Sequence, residues 1–239
     1  MGGRRPRPAA TTRSREGGRG QARGTGKPAR PVARWSGVDG RRVLFIGNEL
    51  YRVGLWPELG GAITHYIDRR TGIDVIWRNP QAWPPRSGVL GQPAGRGSDL
   101  YDVMDGSWYV SLPAGSRPTE YFGAPLGLHG ELRCVPWTVE AILRRRDTLT
   151  VRLAGRSIRT PFVYRRELTV RPGDPRLGWR ETLQNRAPDP LPVAWLHHPT
   201  FGGPLLAGAR LVTPARTVAA SPPRSAAMQL RPGYRGRWP

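Results

Sequence analysis

Residues 137–170 read WTVEAILRRRDTLTVRLAGRSIRTPFVYRRELTV, and their phase decides the fold. Trp137, Val139, Ala141 and Leu143 alternate with Thr138 and Glu140, while Leu149, Val151 and Leu153 alternate with Thr150 and Arg152. An extended chain sends successive side chains to opposite faces, so a period of two predicts strands that each carry one apolar face. A third run, Phe162, Tyr164, Leu168 and Val170, keeps this phase except where Arg166 breaks it, with Arg165, Glu167 and Thr169 opposite. Between and beyond these runs lies turn chemistry: Arg144–Asp147, Arg171-Pro172-Gly173-Asp174-Pro175 and Asn185-Arg186-Ala187-Pro188-Asp189-Pro190.

The same pattern extends toward the N-terminus. Val43-Leu44-Phe45-Ile46 is a short apolar strand candidate. The run from Gly60 to Asp68 and the segment Asp74-Val75-Ile76-Trp77 read as a hairpin closed around Asp68-Arg69-Arg70-Thr71-Gly72. Strand signals recur roughly every dozen residues and no long amphipathic helix is found, which predicts an all-β, antiparallel sandwich or barrel. The stretch from Asn79 to Leu128 differs, being rich in Gly and Pro yet carrying Trp83, Tyr101, Trp108, Tyr109, Tyr121 and Phe122. It reads as a long functional loop.

The chain has 239 residues and a formal charge of +21, unevenly spread. Residues 1–34 hold ten basic side chains and one acid, with no aromatic, Leu or Ile. Such a segment cannot bury enough apolar area to offset the entropy of ordering it, so it is expected to be a disordered Arg/Gly/Pro-rich arm. Residues 35–213 form the expected β-sandwich, and residues 214–239 a low-complexity tail. The single cysteine, Cys134, excludes an internal disulfide and a Cys-cluster zinc site. With no apolar run long enough to span a bilayer and no signal-peptide core, the expectation is a cytoplasmic protein without a membrane partner. Weak nucleic-acid contact through the basic arm is a minor alternative. The arginines of the middle region are too scattered along the sequence to define a phosphate pocket.

Four histidines are the candidates for chemistry: His65, His129, His197 and His198. No phosphate loop, dinucleotide fingerprint, zinc-protease helix or serine-hydrolase elbow accompanies them. His65 lies in an alternating strand and reads as a packed or edge histidine. His129 sits in Gly127-Leu128-His129-Gly130-Glu131-Leu132, where the glycines give the backbone freedom and leave room for a ligand. His197 and His198 sit in Trp195-Leu196-His197-His198-Pro199-Thr200-Phe201-Gly202-Gly203, a strand running into a glycine turn. Adjacent strand residues face opposite ways, so only one of the two enters any given cleft.

GLHGEL followed by Pro136-Trp137, and later HHPTFG, together resemble the two histidine signatures of the galactose mutarotase (aldose 1-epimerase) superfamily. The opening ELYRVGLWPELGGAITHYIDRRTGIDVIW and the DGSWYVSLPAG stretch are similar to that family's earlier segments, so the resemblance covers about residues 42–205. It implies a β-sandwich of the supersandwich type with a sugar in a cleft across one sheet, and an isomerase that interconverts anomers by ring opening. In that reading His129 hydrogen-bonds the substrate and His198 is the general acid, with no cofactor or metal. His198 is chosen over His197 because the spacing from His198 to Phe201 matches the family pattern. A group titrating near neutrality suits proton delivery to a ring oxygen, and aromatic faces suit the sugar's C–H surface. The partner expected is a monosaccharide or sugar derivative.

The resemblance also implies a late glutamate as general base, yet the last acidic residue is Asp189. Glu131 is the substitute to consider. The expectation is therefore a relative with its sandwich incomplete at the C-terminus, either an epimerase with an unidentified base or a non-catalytic carbohydrate-binding protein.

Overall fold

The computed structural model describes residues 29–78, 106–115, 118–206, 209–210, 212, 214, 216–219 and 235–237. The arm over residues 1–28, the aromatic stretch over residues 79–105 and most of the tail lie outside the described residues.

Two antiparallel sheets face each other, as the alternation predicts. The first contains β1 (Val32–Val38), β2 (Arg41–Gly47), β3 (Tyr51–Trp56), β4 (Ala62–Asp68), β5 (Trp108–Ser111) and, after a long excursion, β12 (Leu196–Pro199), in that spatial order. Two short strands, β6 (Thr119–Tyr121) and β7 (Ala124–Leu126), form a separate hairpin. The second large sheet is the meander β8 (Trp137–Arg145), β9 (Thr148–Arg156), β10 (Phe162–Val170) and β11 (Gly178–Asn185). A 3-10 turn, Gly203–Leu206, follows β12, and β13 (Thr217–Ala219) pairs with β14 (Arg235–Arg237). No helix among the described residues is long and apolar enough to cross a membrane.

The core lies between the sheets. Leu44, Ile46, Val53, Leu55 and Ile63 from the first pack toward Leu149, Val151, Leu153, Phe162 and Leu168 of the second, all fully or almost fully buried. Each such side chain contributes about 1.5–3 kcal/mol of transfer free energy. The inward phase of β9 and β10 is the one read from residues 137–170, with Arg166 taking an inward position that is 1% exposed. In β8 that phase holds only through Val139, after which a bulge sets Ile142, not Ala141 or Leu143, opposite the inward Val151.

Three features differ from the sequence reading. β5 lies inside the stretch expected to be a loop, because Trp108, Val110 and Tyr109, Ser111 alternate too briefly to stand out between glycines. β1 takes in Val32, Ala33 and Arg34, at the border of the compositional arm; its mostly exposed side chains leave little apolar signal. The turn at Asp68–Gly72 forms, with Gly72 N–H donating to the Asp68 carbonyl at 2.7 Å, but its second limb is a series of isolated bridges. There the Asp74 carboxylate accepts from the backbone N–H groups of Tyr66 and Ile76, competing with a regular ladder.

Candidate functional site

β12 pairs with β5 so that His197 lies opposite Val110 and His198 opposite Tyr109. Neighbours across a ladder share a face, which puts the two histidines on opposite sides of the sheet.

On the outer side, the His198 ring stacks on Tyr109 with centroids 4.8 Å apart and planes 8° from parallel. His129 comes edge-on to both, 5.1 Å from His198 and 5.7 Å from Tyr109. The local sequence explains how. Gly130 adopts φ +72°, and a Cβ there would lie 2.3 Å from the Leu112 carbonyl oxygen, so only glycine permits this approach. That same carbonyl accepts from the N–H groups of Glu131 and Leu132, while His129 N–H donates to Gly115. His129 itself sits at φ +66°. The loop is thereby pinned with the His129 ring over Tyr109. Arg133 is fully buried beneath, its guanidinium 3.9 Å from the Tyr109 ring centroid.

This setting holds His198 below its ordinary pKa, chiefly through burial and also through the Arg133 charge. His198 is therefore a neutral imidazole near pH 7. Among the described residues its Nδ1 is buried without a hydrogen-bond partner, and no carboxylate pairs with the ring. A neutral imidazole beside a second imidazole and an aromatic face can exchange hydrogen bonds, and protons, with a hydroxylated ligand.

Glu131 does not serve as the missing base. It is 3% exposed, and its two carboxylate oxygens accept from the N–H groups of Ile158, Arg159 and Thr160 and from the Thr160 hydroxyl, at 2.6–3.0 Å. Its lone pairs hold the turn between β9 and β10.

On the inner side, His197 Nε2 lies 2.8 Å from Glu181 Oε2, and Glu181 Oε1 accepts from Arg166 Nε at 2.8 Å. Trp108 Nε1 donates to His197 Nδ1 at 3.2 Å, which places a ring proton on Nε2, donated to Glu181. Arg166 lies between the rings of Trp137 and Trp179 and donates to the Gly61 carbonyl. Burial alone would raise the Glu181 carboxyl; the hydrogen bond from His197 and the Arg166 charge outweigh it and hold it at about 2. His197 thus caps, from a ring that is 35% exposed, a bridge between sheets whose Glu181 and Arg166 are buried. Sequence reading missed Glu181, although it shares the inward phase of Trp179 and Leu183 as Arg166 shares that of Tyr164 and Leu168. Two opposite charges breaking neighbouring apolar phases were the available signal.

His65 is packed, 7% exposed. Arg78 Nη1 donates to its Nε2, so Nδ1 carries the proton toward Thr64 Oγ1 at 2.9 Å. Burial first, then the Arg78 charge, bring its pKa down to about 4. Among the described residues no group of three or more His, Cys, Asp or Glu converges as a metal site.

No protein-family model matches the sequence, and no curated protein is similar to it. Solved structures of related shape include a TPR-domain-containing protein from Parabacteroides distasonis, at 17% identity and TM-score 0.43, covering 60% of this chain and 21% of that one. A galactose mutarotase-like protein from Clostridium acetobutylicum is 11% identical with TM-score 0.39, covering 59% of this chain and 45% of that one. A 4-alpha-glucanotransferase from Thermococcus litoralis is 13% identical with TM-score 0.33, covering 65% and 25% respectively. The chain spans less than half the length of each, and at these scores no family assignment follows.

Proposed function

We propose that the outer face of the six-stranded sheet binds a sugar ring against His129 and His198, which the buried Tyr109 supports from beneath, and that His198 exchanges a proton with it during interconversion of anomers. The observation that supports this most is the meeting of His129 and His198, far apart in sequence, at 5.1 Å over one tyrosine face. Ring opening requires a proton on the ring oxygen as the C1–oxygen bond breaks, while the C1 hydroxyl gives up its own proton as the aldehyde forms. Protonated His198 supplies the first and His129 holds the ligand by a hydrogen bond. Water accepts the second, since Glu131 is committed to the β9–β10 turn. Closure on the other face returns both protons.

Because burial lowers the His198 pKa, its acid form is scarce at neutrality. The rate should rise as pH falls below about 6.5. General acid catalysis contributes on the order of 100-fold or more, so His198→Ala should remove most of the acceleration. Polarimetry on freshly dissolved α-anomers of several aldoses, with wild type and His198→Ala, tests this directly. No acceleration by folded wild-type protein overturns the catalytic part. The second reading, sugar binding without turnover, is favoured by the lack of a carboxylate on His198 among the described residues; it requires a sugar-dependent change in tryptophan fluorescence that His198→Ala abolishes.

A further inference from the structure

The same sheet face carries a second feature. Across β1–β4 runs an open groove of about 730 Å3, within the size of small-molecule sites. Three arginines line it, Arg34 on β1, Arg52 on β3 and Arg69 after β4, with no acidic side chain among the described residues that line it. They are 35 residues apart in the chain at their extremes, and only the pairing of four strands assembles them.

The register builds the floor. Arg34 lies opposite Phe45, Phe45 opposite Gly54, and Gly54 opposite His65. A Cβ at Gly54 would meet the Phe45 ring at 2.9 Å and His65 Nδ1 at 3.0 Å, so the glycine lets those two rings close beneath the arginines. Arg52 lies over the Phe45 ring, 4.6 Å from its centroid. Arg69 donates to the Asn48 carbonyl, which steadies its stem and leaves the rest of its fork available. Among the described residues, neither Arg34 nor Arg52 has a hydrogen bond or ion pair with a protein acceptor. His65 beneath them is neutral, so the groove's charge is that of the arginines.

We propose that this groove binds the anionic groups of an acidic sugar chain, on the same sheet face as the ring site at His129 and His198; the sugar part of this assignment rests on the function proposed above. Guanidinium forks pair bidentately with carboxylate and sulfate alike. β1 and β3 stand two strand spacings apart, about 10 Å, so the cations form a row that suits repeated charges along a chain. Gly54 and Trp56 are consecutive outward positions of β3, and Trp56 packs in one cluster with Tyr109. Trp56 and Tyr109 are both fully buried, so the groove and the histidine pair share one sheet face as two separate sites. Single-stranded nucleic acid is the poorer fit, because it needs open aromatic faces for base stacking, and the Phe45 ring is already covered by Arg52.

The test is titration of full-length protein with trigalacturonate, a sulfated trisaccharide, neutral maltotriose and a short oligothymidylate. Arg34→Ala/Arg52→Ala is compared with Arg145→Ala/Arg146→Ala, which removes the same charge from the exposed β8–β9 turn of the other sheet. The groove variant should weaken trigalacturonate at least tenfold, the turn variant less than twofold, and neither should alter maltotriose. The sulfated trisaccharide shows whether carboxylate geometry or charge alone is read. Equal losses in both variants would reduce the effect to overall charge and overturn the proposal, as would tighter binding of oligothymidylate with the same sensitivity. If the groove variant is silent while monosaccharides still act through His198, the groove alone is wrong. If both fail, the sugar reading fails with it.

Discussion

Arg166 stands at a position that period two assigns to an apolar side chain, and its whole environment follows from that. A guanidinium without exposure needs both charge and hydrogen-bond partners. It finds Glu181 one strand away, the Gly61 carbonyl across the core and the faces of Trp137 and Trp179. Glu181→Gln leaves that cation uncompensated, at a cost of about 3–5 kcal/mol. The pH dependence carries the sign of a depressed carboxyl, about 2 when folded against an ordinary 4.5. Its contribution is complete above pH 4.5 and disappears as pH falls toward 2. Urea midpoints measured between pH 7 and 2 should drop across that window in wild type and less in Glu181→Gln. A parallel fall in both would place the acid sensitivity elsewhere. His198, one residue from His197, shares none of this, because strand geometry turns it to the other face.

At the scale of elements, β9, β10 and the first half of β8 were legible in the sequence because each buries one face and exposes the other, whereas the bulge that shifts the phase of β8 after Val139 was not. β5 and β1 were not: β5 is four residues long among glycines, and most β1 side chains are exposed. The pairing of β8 with β9 adds a constraint that alternation does not reveal. Trp137 needs the space left by two glycines, since a Cβ at Gly155 would lie 2.3 Å from its Nε1 and one at Gly61 2.4 Å from its ring. Its indole N–H donates to the Leu132 carbonyl, so the ring is held and cannot simply turn aside. Gly155→Ala should therefore destabilise by about 1–3 kcal/mol through overpacking, read as a lowered melting temperature. An unchanged melting temperature would mean that the Trp137 pocket relaxes freely. Because Trp137 also lies against Arg166, the variant should blunt the acid transition described above.

Across the whole molecule, polar ties join the two sheets at separated points. Asn48, 2% exposed in the turn between β2 and β3, donates both amide hydrogens to the Arg171 and Asp174 carbonyls of the β10–β11 turn. Arg144 donates to the Pro31 carbonyl at the entry to β1, and His197 meets Glu181 from β12. Such ties predict one cooperative transition. Asn48→Ala should cost about 1–3 kcal/mol by removing two partly buried hydrogen bonds, while tryptophan fluorescence and far-ultraviolet circular dichroism still report coincident unfolding. Separate transitions would show that the sheets fold independently.

By itself the sequence determined the strand phase, the inward faces, the turn chemistry and the rule that His197 and His198 point apart, because all of these follow from covalent geometry over a few residues. Tertiary structure alone decided that β12 docks on β5, 85 residues earlier at Ser111 to Leu196, and so which histidine met His129 and which met Glu181. It alone withdrew Glu131 into the β9–β10 turn and gathered Arg34, Arg52 and Arg69 into one groove. Those outcomes depend on register and packing between distant segments, where the free energy of burying the core selects one pairing that no local pattern encodes.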